Sequence, residues 1–266
     1  MKKEPIISVI MSVYNDSAFL KESIESILNQ NFKNFEFLIA EDHSSDGSLK
    51  IIEEYAKTDD RICIIKHEHN RGLPYSLNEL VAISRGEFIA RMDSDDIALP
   101  SRLEEELAIL QGDKADFVFT NIDLITEKGD KLCKSWRPKS VKKILNSMQF
   151  HNYIPHPTVM VKRNVLVSNQ YNINCRRGQD TDLWRRLIKK NIRFYYHDRV
   201  LLNYRIKPRN GDESYVYADE CIANNSKINA LKYIKHVRDQ KNRIKLYCKI
   251  FIPFFVLRLH GMTKKI

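Results

Sequence analysis

Four consecutive residues in the first half of the chain form a short acidic cluster, Asp93-Ser94-Asp95-Asp96. Carboxylate oxygens are hard ligands of the kind that Mg²⁺ and Mn²⁺ prefer, and these ions often bridge a protein to phosphate groups. The alternative is structural, with Asp96 capping the helix that follows and the other acids facing solvent. The position of the cluster in the fold therefore matters.

The cluster follows a strand-like apolar run in a half of the chain that alternates such runs with helix-like segments. This alternation is expected of βαβ units and a mainly parallel sheet. Ligands of open α/β sheets bind outside the carboxyl ends of the strands, so the cluster is predicted to lie at the ligand-binding edge. Strands are predicted at residues 6–13, 35–40, 61–66 and 87–92, and helices at 17–28, 48–57, 73–84 and from about 100.

The second half predicts a change of strand direction. Residues 115–125 and 131–136 flank the hairpin-like connection Glu127-Lys128-Gly129-Asp130, so antiparallel strands are expected here. A final helix is predicted over residues 213–235. The other predicted segments are helices near 141–150, 164–169 and 180–190, and strands at 193–197 and 200–205.

The net charge of +10 is concentrated at the end of the chain. Eleven Lys or Arg residues follow position 226 against one acid, Asp239, so the remainder is near neutral and does not favour a nucleic-acid-binding core. Aromatic and aliphatic residues between 247 and 259 give this basic tail a composition suited to an anionic membrane surface. A C-terminal helix packed on the main domain is the alternative.

Other sequence features indicate the class of protein and its cellular compartment. The five cysteines are scattered and form no Cys-x-x-Cys pair, which argues against a disulfide framework and a zinc site. No run approaches the roughly 20 apolar residues of a membrane-spanning helix, and no cleavage site follows the basic start. We expect a cytoplasmic protein, attached peripherally to the inner face of the cell membrane through the basic tail.

Motif-like segments lie at residues 8–15, 41–48, 70–72, 91–103, 156–158 and 178–184. Together they resemble a family 2 glycosyltransferase of the GT-A fold, a class that includes enzymes of bacterial surface-polysaccharide assembly. The resemblance covers roughly residues 4 to 210. It implies a GT-A (Rossmann-like) mixed, mainly parallel sheet flanked by helices. We predict a GT-A domain at 1–212, with a nucleotide-binding half at 1–110 and an acceptor half at 111–212, and a helical basic extension at 213–266.

The resemblance implies a set of donor-site residues. Asp42 would contact the nucleotide base, Arg71 would approach the nucleotide or its phosphates, and Asp93 would face the ribose and diphosphate. Asp95 would ligate Mn²⁺ or Mg²⁺, and His197 is a further candidate metal ligand, with a solvated strand-end histidine as the alternative. The full predicted nucleotide-sugar set is Tyr14, Asn15, Asp42, Arg71, Asp93 and Ser94.

The acceptor half carries Gly178-Gln179-Asp180-Thr181-Asp182-Leu183-Trp184, similar to the family's Gly-Glu-Asp-x-Asp-Leu-Trp pattern. By this resemblance Asp180 is the catalytic base, because direct displacement needs a carboxylate that takes the proton of the acceptor hydroxyl. An N-terminal helix cap is the structural alternative for Asp180. The predicted acceptor-binding residues are His156, Gln179 and Trp184, although a helix tryptophan is more often part of the core.

The resulting hypothesis is a metal-dependent inverting glycosyltransferase, hexosyl or N-acetylhexosaminyl. It would transfer a sugar from a nucleoside-diphosphate sugar, UDP-linked, to a glycan or lipid-linked acceptor in surface-polysaccharide biosynthesis. Two alternatives remain at this point. A nucleotidyltransferase also uses a metal and an α/β sheet, but the expected glycine-rich loop near the first strand is missing. A nucleic-acid-binding module would use the basic tail and leave the acidic loops unexplained.

Overall fold

The computed structural model describes residues 4–135, 137–175, 177–208, 212–224 and 226–251. Helices and strands alternate in its first hundred residues, as the sequence predicts. The described strands are β1 (Ile7–Val13), β2 (Phe35–Glu41), β3 (Ile62–Lys66), β4 (Phe88–Met92), β5 (Ile97–Ala98), β6 (Phe117–Ile125), β7 (Lys131–Lys134), β8 (Met160–Lys162) and β9 (Phe194–Arg205). The described helices are α1 (Ser17–Leu28), α2 (Ser48–Thr58), α3 (Leu73–Ile83), α4 (Arg102–Gln111), α5 (Val141–Ser147), α6 (Arg163–Val167), α7 (Gln179–Lys189), α8 (Glu213–Ala223), α9 (Lys227–Ile234) and α10 (Gln240–Phe251).

The sheet is parallel on one side and antiparallel on the other. Strands β3, β2, β1 and β4 are parallel neighbours in that order. Beyond β4 the direction changes, since β8 pairs antiparallel with β4 and with β6. Central strands β1, β2 and β4 are buried on both faces along nearly their whole length, because helices cover both faces of a parallel sheet. The predicted mixed, mainly parallel sheet flanked by helices is confirmed.

A tight packing site joins β1, β2 and the turn before β4. Ser8 Oγ donates to Glu36 Oε1 at 2.7 Å and accepts from Gly86 N at 2.9 Å. Arg85 closes the site, because its Nη2 lies 2.7 Å from Glu36 Oε2. A Cβ on Gly86 would lie 2.5 Å from Ser8 N, so only glycine fits here.

Helix α4 is hydrogen-bonded to the carboxyl end of β4, the strand that precedes the acidic cluster. Arg102 is fully buried, and its Nη2 donates to Arg91 O at 2.8 Å. Glu106, one turn along α4, lies 3.2 Å from Arg102 Nε. Burial raises the pKa of Glu106 to about 7, against the opposing effect of the Arg102 charge. A buried pair of this kind is costly to break from one side, since one charge is left without its partner.

The chain forms two compact units, residues 1–122 with 137–203, and residues 123–136 with 204–266. In the second unit, Asp123 at the end of β6 pairs antiparallel with Lys134 of β7, which confirms the predicted hairpin. Helix α10 is tied to α8 by Lys249 Nζ, 2.6 Å from Asp219 Oδ1. Among the described residues, no helix is long and apolar enough to cross a membrane.

The prediction of one helix over residues 213–235 is wrong, because α8 ends at Ala223 and α9 begins at Lys227. Asn and Ser side chains compete with helical backbone hydrogen bonds, and Asn224 and Ser226 lie at this interruption. The apolar part of the predicted membrane-binding tail, from residue 252 onward, lies outside the described residues.

Candidate functional site

The loops after β1 and β2 interlock at the carboxyl edge of the parallel strands. Asn15 has a left-handed backbone, φ 51°, and its Oδ1 accepts from Ser45 N at 2.8 Å. Asp46 accepts from Ser17 N and from Ser48 N, both at 2.9 Å. Burial alone would raise the pKa of Asp46, but these serines lower it to about 2. Both loops are therefore held by short polar side chains rather than by apolar packing.

Tyr14 stands at the end of β1 with 52% of its surface exposed. A tyrosine so exposed at the ligand-binding edge leaves a ring face open for stacking on a planar group. Its neighbour Asn15 has its side-chain oxygen committed to the β2 loop. Both predicted nucleotide-sugar residues are exposed, and Asn15 is the one whose side-chain oxygen already has a hydrogen-bond donor.

Asp42 follows β2 and is nearly buried, with 2% exposure. Its Oδ1 accepts from Arg71 N at 2.7 Å, and its Oδ2 accepts from Gly72 N at 2.8 Å. His67 Nδ1 lies 2.7 Å from the same Oδ1. A carboxylate has about four acceptor positions, so these three contacts leave about one for a ligand.

Arg71 follows β3 and lies over an aromatic ring. Its guanidinium carbon is 3.3 Å from the centroid of Tyr75, a cation–π contact within helix α3 and its entry loop. The Arg71 side chain is exposed, while its backbone is fixed by Asp42. The predicted residues Asp42 and Arg71 are therefore in direct contact, and the Asp42 carboxylate holds the Arg71 backbone in place.

The acidic cluster after β4 brings three carboxylates within reach of a single cation. One carboxylate oxygen each from Asp93, Asp95 and Asp96 lies within 4.8 Å of the other two. Hard oxygen donors at this separation suit Mg²⁺ or Mn²⁺. Ser94 is buried beside them and donates to Asp16 Oδ2 at 2.5 Å, so its hydroxyl joins the cluster to the β1 loop.

A buried polar group lies behind Asp93. Arg91, 3% exposed, forms an ion pair with Asp93. Burial lowers the pKa of His156 well below its usual value, and the positive charge of Arg91 adds to this effect. His156 is consequently a neutral ring, and its Nε2 lies 2.8 Å from Tyr171 Oη.

The turn that carries His156 connects the strand before the acidic cluster with helix α7. Arg91 N, on β4, donates to Val159 O just after this turn, at 2.9 Å. The His156 ring lies 5.7 Å from the ring of Trp184, which is one helical turn beyond Asp180 on α7. The elements that carry the predicted diphosphate-side acid and the predicted base are thus linked through packed groups.

Asp180 lies in the first turn of α7, which begins after Gly178 in the left-handed conformation at φ 68°. That conformation favours glycine. Asp180 Oδ2 accepts from Asn152 Nδ2 at 2.8 Å, and Gln179 beside it is partly exposed. Gly178 holds the N-cap position of α7 and Asp180 lies two residues further on, so Asp180 is a first-turn acid and not the N-cap residue.

Two predicted site residues, Trp184 and His197, have other contacts in the structure. Trp184 is fully buried, with its ring 4.7 Å from that of Phe117, so no ring face is open to an acceptor and the core alternative fits instead. His197 Nε2 lies 3.0 Å from Glu105 Oε2 on α4. Within the part of the chain that the structure describes, the carboxylate cluster includes no histidine.

Some residues at this edge were not among those predicted. His67 contacts Asp42, and Glu79 of α3 contacts the other ring nitrogen of His67 at 2.7 Å. Asn152 contacts Asp180. The available signal for His67 was its place directly after a predicted strand, at the same edge as Asp42. Asn152 carried no comparable signal.

A mixed sheet flanked by helices, with a carboxylate cluster at its ligand-binding edge, defines an α/β protein of the GT-A class. The chain matches the model of Glycosyl transferase family 2 over residues 8–196. It therefore belongs to glycosyltransferase family 2, as the resemblance in its motifs predicts.

Individual proteins agree with this assignment. The chain is similar to the O-antigen biosynthesis glycosyltransferase WbnJ of Escherichia coli, with 34% identity over 219 residues, 81% of this chain and 85% of that protein. Its fold is similar to S. aureus TarS 1-349 in complex with UDP-GlcNAc, with TM-score 0.63, 18% identity, and coverage of 98% of this chain and 76% of that one. It is also similar to the mannosyltransferase PcManGT from Pyrobaculum calidifontis in complex with GDP-Man and Mn²⁺, with TM-score 0.62, 15% identity, and coverage of 94% and 70%.

Proposed function

We propose that this glycosyltransferase transfers a sugar, with inversion, from a UDP-sugar to a glycan or lipid-linked acceptor during surface-polysaccharide biosynthesis. The observation that carries the proposal is that Tyr14, Asp42 and the Asp93–Asp96 carboxylates each follow the carboxyl end of a parallel strand, the edge at which open α/β sheets bind ligands. The O-antigen role in the name of WbnJ supports the class of acceptor. The UDP-GlcNAc complex of TarS supports the class of donor.

On the donor side, Tyr14 would stack on the base and Asp42 would accept a base N–H. A uracil ring offers one N–H between two carbonyls, which suits a carboxylate with about one acceptor position left. Arg71, exposed above Tyr75, would approach the phosphates as a cation. The nucleotide would then be held by stacking on Tyr14, by a hydrogen bond to Asp42 and by the positive charge of Arg71.

Asp95, together with Asp93 and Asp96, would hold Mn²⁺ or Mg²⁺. When bound, the ion supplies positive charge that stabilises the departing diphosphate. The ion pair with Arg91 would hold the Asp93 carboxylate in position. The PcManGT complex with Mn²⁺ supports a divalent ion in a related fold.

For the chemical step, Asp180 would accept the proton of the acceptor hydroxyl. The acceptor oxygen then forms a bond to the anomeric carbon while the bond from that carbon to the phosphate oxygen breaks, and the nucleoside diphosphate leaves. Attack from the face opposite the leaving group inverts the anomeric configuration. Asn152, which donates to Asp180 Oδ2, would hold the carboxylate in position.

Calorimetry with UDP, GDP and their sugars, with and without Mn²⁺, tests the proposal. We expect UDP-sugar binding that Mn²⁺ strengthens by about tenfold or more, equivalent to about 1.4 kcal/mol. Asp95→Asn should remove the Mn²⁺ effect, whereas the exposed control Glu104→Gln on α4 should keep it. Absence of binding to every nucleoside diphosphate, with or without Mn²⁺, would defeat the proposal.

A further inference from the structure

The side chain of His67 links two carboxylates that come from different elements. Its Nδ1 lies 2.7 Å from Asp42 Oδ1, after β2, and its Nε2 lies 2.7 Å from Glu79 Oε2, on α3. The imidazole is 3% exposed, because it lies between the buried Asp42 and the partly buried Glu79. Its edge also meets the Tyr75 ring, with centroids 5.9 Å apart.

The same side chain thus touches both supports of Arg71. Asp42 binds the Arg71 backbone N–H, and Tyr75 lies under the Arg71 guanidinium. Without His67, Asp42 Oδ1 would lose one of its two donors and keep only Arg71 N, while Oδ2 would keep Gly72 N. A buried acceptor that loses a partner also becomes less well oriented for the contacts that remain.

We propose that His67, held in turn by Glu79, is a positioning residue for nucleotide binding: it fixes the Asp42 carboxylate and the Arg71–Gly72 segment in the geometry that receives the base. This role rests on the proposed function of Asp42. Neither residue touches the reacting atoms, so both act through Asp42. The structural contact that carries the inference is the continuous chain Glu79, His67, Asp42 and Arg71.

The test compares a ligand that carries a base with one that does not. UDP and inorganic pyrophosphate, each with Mn²⁺, are titrated into the full-length protein and its variants. His67→Phe keeps a ring against Tyr75 but removes both hydrogen bonds, and Glu79→Gln alters only the outer contact. Glu53→Gln is the matched control, because Glu53 is a partly exposed acid that pairs with Lys66, the residue before His67.

We expect His67→Phe to weaken UDP binding by about tenfold and Glu79→Gln by about threefold, because the first removes the hydrogen bond to the Asp42 carboxylate and the second weakens only its outer support. Pyrophosphate binding should stay within twofold. In donor turnover, KM should rise while kcat changes little. His67→Gln, whose amide can still donate to Asp42, should recover part of the UDP affinity.

Other results would overturn the proposal in distinguishable ways. If the unaltered protein binds pyrophosphate but not UDP, the proposed donor role fails and the positioning role fails with it. If the unaltered protein binds UDP and His67→Phe binds it equally well, only the positioning role is wrong. Equal losses of UDP and pyrophosphate affinity in His67→Phe would indicate general disruption and also reject it.

Discussion

Asn78 on α3 holds Tyr171 through both of that residue's backbone polar groups. Asn78 Nδ2 donates to Tyr171 O at 2.9 Å, and Tyr171 N donates to Asn78 Oδ1 at 2.8 Å. The pair fixes the start of the segment that leads to Asp180 against a helix that begins beside the Arg71 loop. Donor-side and acceptor-side elements are therefore joined by a single amide side chain.

This pair gives the first prediction. Asn78→Ala removes both hydrogen bonds and should lower the free energy of unfolding by about 1–3 kcal/mol. Because the Asp180 segment loses its anchor, kcat for donor turnover should fall more than UDP affinity does. Thermal unfolding and steady-state kinetics measure the two effects. Asn174→Ala, at an exposed position of the same segment, is the control and should change neither.

The base assignment predicts a large kinetic effect at Asp180. Asp180→Asn should reduce kcat by about 10²–10⁴, the usual contribution of a positioned acid or base, with UDP affinity unchanged. Asp182→Asn on the same helix removes only a half-exposed ion pair with Arg186 and should have little effect. Equal rates for Asp180→Asn and the unaltered enzyme would refute the assignment.

A stability prediction follows from the close approach at Gly86. Gly86→Ala places a Cβ 2.5 Å from Ser8 N and 2.7 Å from Ile7 C, both backbone atoms that cannot move away cheaply. Overpacking of this kind costs about 1–3 kcal/mol. Differential scanning calorimetry should show a lower Tm. In Gly47→Ala the new Cβ would lie 3.9 Å from Ser17 Cβ, an ordinary van der Waals contact, so that variant should retain the original Tm.

His67 should make stability fall at alkaline pH. Burial opposes protonation of its ring, but the hydrogen bonds to Asp42 and Glu79 outweigh burial, and the net pKa is raised from 6.5. A pKa that is higher in the folded state gives stability that is complete below pH 6.5 and lost as pH rises through the folded pKa. In His67→Phe this loss should disappear from the pH dependence of Tm. An unchanged alkaline slope would contradict the shift.

His156 should have the opposite effect on the pH dependence of stability. Burial and the Arg91 charge lower its pKa from 6.5, so the unfolded chain takes up a proton before the folded one does. Its stabilising contribution is present above pH 6.5 and is lost as pH falls from there toward the folded pKa. His156→Gln should flatten the acid side of the Tm profile and leave the alkaline side unchanged. An acid slope as steep as that of the unaltered protein would be evidence against a neutral His156.

The sequence by itself determined the elements and the edge at which the chemistry lies. Alternating apolar runs and amphipathic segments predicted parallel strands, and parallel strands bring their carboxyl ends to one edge. Tyr14, Asp42 and Asp93 each follow such a strand directly, so their placement needed only the strand boundaries. Family membership could also be predicted from the sequence, because each motif is a short unbroken run of residues.

Only the tertiary structure decided which side chains meet. His67 contacts Asp42 after β2 and Glu79 on α3, and Asn78 contacts Tyr171 across 93 positions of sequence. Trp184 was predicted as an acceptor contact, yet the packing of α7 turns it into the core against Phe117. Local periodicity fixes which residues share a helix or strand. The partner of a side chain depends instead on how distant elements pack, and no local pattern encodes that arrangement.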